Sequence, residues 1–174
     1  AAEQGFINAD KRDSQDICFV PGGDYAAVIE HRTGKKYPRG RFVDSTGRVL
    51  GEHRGIIHYT VGQRRGLGLA LPEPLYVKHK DTEKNEVVLA RDDELFSSSL
   101  DADDFNWIAC PPPSSPLRVK AKTRYKQEEI PAVVRAGENM TAHIEFDFPV
   151  RAISPGQAVV LYDSDVVIGG GTIR

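Results

Sequence analysis

Cys18 is the first side chain in this sequence with the chemistry of a nucleophile. It sits in Asp13-Ser14-Gln15-Asp16-Ile17-Cys18-Phe19-Val20-Pro21-Gly22-Gly23-Asp24, between a polar segment and a glycine pair that leads into a helix. A thiol near a loop and a helix N-terminus can be held as the thiolate, its reactive form. Ile17, Phe19 and Val20 allow the other reading, a small buried apolar residue. The acidic neighbours Asp13 and Asp16 oppose a strongly depressed pKa. Cys110, followed by three prolines, reads as structural, and no CxxC spacing marks a metal site. His53 and His58 are five apart with no cysteine or carboxylate at ligand spacing, so they read as surface or hydrogen-bonded histidines.

The second available chemistry is cationic. Arg54, Arg64 and Arg65 fall in a glycine-rich stretch, and Lys120, Lys122, Arg124 and Lys126 alternate along what reads as one strand. Alternation puts those side chains on one face. Tyr125 lies among them. A row of cations beside an aromatic suits an RNA backbone and an unstacked base. A solvated sheet face is the other reading. Gly66-Leu67-Gly68 and Gly169-Gly170-Gly171 complete no phosphate-loop or dinucleotide pattern, and they read as tight turns or close backbone packing.

These residues need a scaffold, and the pattern predicts one that is mainly β with a little helix (α+β). A helix is expected over Asp24–Thr33, with Asp24 as N-cap and Gly34 just past its end. Arg41-Phe42-Val43 and Arg48-Val49-Leu50 flank the turn Asp44–Gly47 as a hairpin. Between Gly51 and Leu71, strand segments joined by glycine turns are expected. Leu75–His79 and Glu86–Ala90 form a second hairpin. The strongest break falls at Leu95–Asp104, with its run Ser97-Ser98-Ser99. Short strands then recur at Leu117–Thr123, Ile130–Arg135, Thr141–Phe146, Val150–Ile153, Gln157–Tyr162 and Val166–Ile168. Such spacing indicates a small closed or sandwiched β-structure. The division expected is 1–94 and 95–174.

Composition sets outer limits. The 174 residues are 40% apolar and 28% charged, an ordinary globular mixture. No run approaches the ~18 apolar residues of a membrane span. The first residues have no signal-peptide pattern, and two cysteines cannot staple a fold, so the cytoplasm is the expected compartment. Residues 1–100 carry 15 basic and 15 acidic side chains, and the remainder 8 and 10, which gives the net charge of −2. A globally basic nucleic-acid footprint is therefore absent, and RNA binding must rest on local patches. The chain opens with Ala1-Ala2-Glu3-Gln4-Gly5, which reads as the tail of a helix without a start Met. A piece of a longer protein is expected.

Read together, several motifs resemble the tRNA-specific 2-thiouridylases (MnmA/TrmU). They are Asp13–Val20, Gly51–Gly55, Tyr59–Gly68, Lys122–Tyr125, Ser154–Val159 and Gly169–Ile173, in family order through almost the whole chain. The resemblance implies a central domain followed by a C-terminal antiparallel β-barrel similar to those of translation factors. It implies an enzyme, a tRNA-uridine 2-sulfurtransferase acting on the wobble uridine at C2. It aligns Cys18 with the cysteine that carries the persulfide, and Arg124, Tyr125 and Gln157 with positions that contact tRNA. Lys122, Arg64 and Arg65 are further candidates for tRNA contact. The family's ATP-pyrophosphatase domain, with its bound ATP and Mg and a second catalytic cysteine able to pair with the first, has no counterpart here. No cofactor or metal is expected in this chain, and alone it should be inactive and bind tRNA weakly. The implied partners are tRNA and a persulfide donor, a cysteine desulfurase or a sulfur-relay protein, with no membrane. The competing reading is a non-catalytic RNA-binding β-barrel module.

Overall fold

The computed structural model describes Val20 and residues 25–174. The Cys18 motif and the expected N-cap Asp24 lie outside the described residues. The first element, α1 (Tyr25–Thr33), stops at Gly34, whose φ of 65° and N–H bond to Glu30 O (2.9 Å) make the left-handed helix end expected of glycine. Its buried residue is Ala26, while Tyr25 and Ile29 stay exposed.

Both hairpins form where the alternation and turn residues place them. Strands β1 (Gly40–Asp44) and β2 (Val49–His53) pair antiparallel, as do β3 (Tyr76–Asp81) and β4 (Glu86–Ala90). The turn of the first is organised by Asp44. Its carboxylate accepts from the Thr46 N–H and hydroxyl and the Arg48 N–H at 2.9, 2.6 and 3.0 Å. A parallel β1–β4 contact joins the hairpins in the order β2-β1-β4-β3. Phe42, Val77, Val87 and Leu89 are buried against Ile56, Tyr59 and Leu67.

The glycine-rich stretch corrects the sequence reading. After β2 there is no further strand until Tyr76, only one turn of 3-10 helix (Ile56–His58) and irregular chain. Gly55, Gly62, Gly66 and Gly68 all have left-handed φ, which breaks a ladder. Backbone bonds replace it, Gly62 N to Val77 O at 2.7 Å and Val77 N to Gln63 O at 2.9 Å. Of the two readings for His53, surface or hydrogen-bonded, the hydrogen-bonded one holds. It is 0% exposed, with Nδ1 accepting from the Gly55 N–H (3.1 Å) and Nε2 against Asn85 O (3.2 Å). With Nδ1 an acceptor, Nε2 carries the proton. Phe42 and Tyr59 meet the ring edge to face.

The second unit is a closed antiparallel barrel in the order β10-β5-β8-β7-β6-β9. Its strands are β5 (Phe96–Trp107), β6 (Leu117–Lys122), β7 (Ile130–Ala136), β8 (Ala142–Arg151), β9 (Ala158–Asp163) and β10 (Val166–Ile173). The stretch Leu95–Asp104, which the sequence suggested as a break, is most of β5, the longest strand, at 12 residues. Leu100 and Ala102 face the core in alternation, and a bulge at Asp104 (φ 49°) brings Phe105 in as well. Serine propensity gives way to that burial. The segments around Phe146 and Val150 are one strand, not two, with a register shift where Asp147, Phe148 and Pro149 intervene.

Strand β10 likewise extends through the glycine triplet, whose φ values are not left-handed. Close packing is the reason for glycine here. A methyl group would stand 2.5 Å from Asn106 O at Gly169, 2.8 Å from Val159 O at Gly170 and 2.7 Å from Asp103 O at Gly171. Strand β6 ends at Lys122, so the four cations expected on one strand do not share it. Lys120 and Lys122 remain in β6, while Arg124 and Lys126 belong to the turn beyond. Cys110 is half-buried against the barrel core, in keeping with a structural part.

Candidate nucleic-acid interface

The β6–β7 turn presents the strongest of the expected side chains. Gln127 reaches back across it, and its Oε1 accepts from the N–H (3.1 Å) and hydroxyl (2.7 Å) of buried Thr123. The Gln127 N–H also donates to Arg124 O at 3.2 Å. Arg124, Tyr125 and Lys126 are thereby held at the tip of a braced turn. Tyr125 is 78% exposed, a large aromatic surface facing water. Lys120, by contrast, faces Glu129 at 3.4 Å, so part of its charge is already matched.

Arg124 turns toward the junction of the two units. Its Nη2 donates to Ala152 O at 2.5 Å. Ala152 lies just past β8, buried, with a left-handed φ of 54° that is uncommon outside glycine. The same carbonyl accepts from the Ser154 hydroxyl at 3.2 Å. Ser154 opens the turn that carries Gln157, and that turn is fastened to β10 by Gly156 N to Ile173 O and Ile173 N to Gln157 O, both 2.8 Å. Gln157 itself is exposed. Ala152 O thus links the Arg124 turn to the Gln157 turn.

The loop bearing Arg64 and Arg65 approaches the same place from the first unit. A methyl group on Gly62 would stand 3.0 Å from Ala152 Cβ, 3.4 Å from Arg151 Nη1 and 3.7 Å from Arg124 Nη2. Gly62 has φ 86°, and the turn Thr60–Gln63 closes through Gln63 N to Thr60 O at 3.0 Å. The Gln63 side chain braces both sides, accepting from Thr60 N–H (3.0 Å) and donating to Arg65 O (2.9 Å). Arg64 and Arg65 are exposed just after it. Arg54 is also exposed, at the end of β2, where its N–H meets the Tyr59 hydroxyl at 3.4 Å.

Sequence reasoning missed Arg151, Ala152, Asp92 and Tyr76. Arg151 donates to Asp92 Oδ1 from Nε (2.9 Å) and Nη2 (2.6 Å), and its guanidinium lies 4.9 Å from the Tyr76 ring centroid. Nothing local marks these residues, because they meet only where barrel and sheet touch. Among the described residues no group of three or more His, Cys, Asp or Glu side chains could hold a metal ion. No described helix is long and apolar enough to cross a membrane.

The arrangement suits a phosphate backbone, with cations from two braced loops and an exposed aromatic beside them. Residues 26–91 match the tRNA methyl transferase PRC-barrel domain, and residues 97–173 the aminomethyltransferase beta-barrel domain. The tRNA-specific 2-thiouridylase MnmA of Acetivibrio thermocellus is 51% identical over 174 residues, all of this chain and 48% of the relative. That of Lachnoclostridium phytofermentans is 47% identical over 173 residues, 99% of this chain and 48% of the relative. That of Symbiobacterium thermophilum is 45% identical over 174 residues, all of this chain and 45% of the relative. The chain spans about half the length of the curated relatives it matches. With its sheet and its closed barrel each matched in turn, the chain belongs to the tRNA-specific 2-thiouridylase family.

Proposed function

We propose that this chain is the sulfur-carrying and tRNA-facing part of an enzyme that replaces the C2 oxygen of a wobble uridine with sulfur. The observation that supports it most is the meeting of the Arg124 turn, the Gln157 turn and the Gly62–Arg65 loop around Ala152. On this reading Arg124, with Arg64, Arg65 and Lys122, neutralises phosphates, and Tyr125 offers a stacking face for a base. Gln157 supplies hydrogen bonds from the adjacent turn.

Cys18 carries the persulfide. Its terminal sulfur attacks C2 of a uridine whose carbonyl oxygen has been adenylated, and the C2–O bond breaks as AMP leaves with that oxygen. The second catalytic cysteine, in a segment outside this chain, then bonds to Cys18 Sγ as the S–S bond to the transferred sulfur breaks. A disulfide forms and the sulfur stays on the base. A dithiol or free-thiol reductant must first return that disulfide to two thiols, after which a cysteine desulfurase or a sulfur-relay protein reloads Cys18. ATP, with Mg, is handled by that other segment. Among the described residues the two glycine runs do not fit a phosphate cradle, since Gly169–Gly171 are pressed against strand carbonyls and Gly66-Leu67-Gly68 opens no helix.

In the full-length protein, Cys18→Ser abolishes 2-thiouridine while tRNA binding persists. Nucleoside mass spectrometry of the product tRNA and a binding titration check this. Retained thiolation would overturn the assignment and leave the barrel as a non-catalytic RNA-binding module.

A further inference from the structure

The two halves of this face belong to different folding units, so something must hold them in register. Arg151, at the end of β8, reaches from the barrel to both the sheet and the turn that joins them. Its guanidinium forks onto Asp92, in the 3-10 turn Asp92–Leu95 between sheet and barrel. It also lies over Tyr76 at the start of β3. The next residue, Val77, exchanges two backbone bonds with Gly62 and Gln63, and so fixes the loop that presents Arg64 and Arg65. On its other side Arg151 adjoins Ala152, whose N–H donates to Leu95 O (2.8 Å) and whose carbonyl holds Arg124.

We propose that Arg151 is a positioning residue for RNA, a bolt that composes one continuous phosphate-binding face from the Gly62–Arg65 loop and the Arg124–Lys126 turn. The inference rests on the RNA-binding reading above. Two binding elements held at a fixed separation engage one ligand far better than the same elements on a loose joint. Both nitrogens that bond Asp92, together with the stacked face, are occupied within the protein, so Arg151 acts through its neighbours.

The test uses the full chain, an unmodified tRNA transcript as probe, and low salt. Asp92→Asn separates the two accounts by sign. It removes a negative charge from the edge of a basic face and leaves Arg151 only a neutral acceptor in place of an ion pair, so charge alone predicts tighter binding. A bolt predicts weaker binding, by ~3–10-fold, because the two loops lose register. Arg151→Lys keeps the charge but loses the fork and the planar stack, and is expected to weaken binding similarly. In the Asp92→Asn background, Arg64→Ala with Arg65→Ala is expected to cost little more. Circular dichroism of each variant confirms that sheet and barrel remain folded. Unchanged or tighter binding by Asp92→Asn, with Arg124→Ala still weakening the complex, would overturn the bolt alone. No binding by the parent chain would overturn the RNA-binding reading and the bolt with it.

Discussion

Arg124 and Ala152 are joined by a 2.5 Å hydrogen bond from a guanidinium nitrogen to a carbonyl that a left-handed backbone turns toward it. That bond ties the tip of one barrel turn to the end of β8 and fixes where the Arg124 charge is presented. Arg124→Ala is expected to raise the Kd for tRNA roughly fivefold, about 1 kcal/mol, and to reduce the salt slope by about 1. Titrations at several salt concentrations check both. An unchanged slope would show that Arg124 meets no phosphate.

Tyr125 offers a different contribution, insensitive to salt. If a base stacks on its exposed ring, Tyr125→Ala costs about 1–3 kcal/mol of RNA affinity, while Tyr125→Phe retains most of it. Fluorescence anisotropy with the two variants side by side gives the comparison. Equal losses would assign the effect to the hydroxyl instead.

Burial holds the His53 imidazole below its ordinary 6.5, against the opposing pull of the Asn85 carbonyl. The folded chain therefore resists a proton that the unfolded chain accepts. The stabilisation is complete above pH 6.5 and is lost as pH falls from there through the lowered folded value. The carboxylates with lowered pKa titrate further down, Asp44 to about 2 because the Thr46 hydroxyl and nearby N–H groups favour its charged form. Urea midpoints at about pH 7.5 and about pH 5 are expected to differ in the parent and to converge in His53→Gln.

Gly170→Ala tests the packing of β10. The added methyl meets Val159 O at 2.8 Å, and a backbone carbonyl paired in a ladder cannot yield cheaply. A loss of about 1–3 kcal/mol is expected, seen as a lower Tm. Phe105→Ala should cost more, about 3–5 kcal/mol, because it leaves a void in the barrel core.

Much of the scaffold was legible because it is written locally. Asp44-Ser45-Thr46-Gly47 and Gly34 announce their turns, and both hairpins follow from alternation. The errors arise where tertiary burial outweighs local preference. Ser97-Ser98-Ser99 reads as a break, yet Leu100, Ala102 and Phe105 draw that stretch into the barrel. Tyr59-Thr60-Val61 reads as a strand, yet the flanking glycines turn the chain away from any ladder. The Arg124–Tyr125 pair was visible as charge beside an aromatic, although on a turn and not on the strand expected. Arg151 was not visible, because its partners Asp92 and Tyr76 lie 59 and 75 positions away in sequence.

The closed barrel also sets an order of events during synthesis. Its first strand, β5, pairs with its last, β10, so Ala102 waits for Ile173 before the ring can shut. Sheet β1–β4 has all its partners long before that. A growing chain therefore carries a finished sheet and an open set of barrel strands, with a free edge able to recruit a neighbouring nascent chain, until β10 emerges from the ribosome. The three packed glycines of β10 make that last step a close docking of backbone on backbone, and a stop that removes this strand alone is enough to leave the ring open.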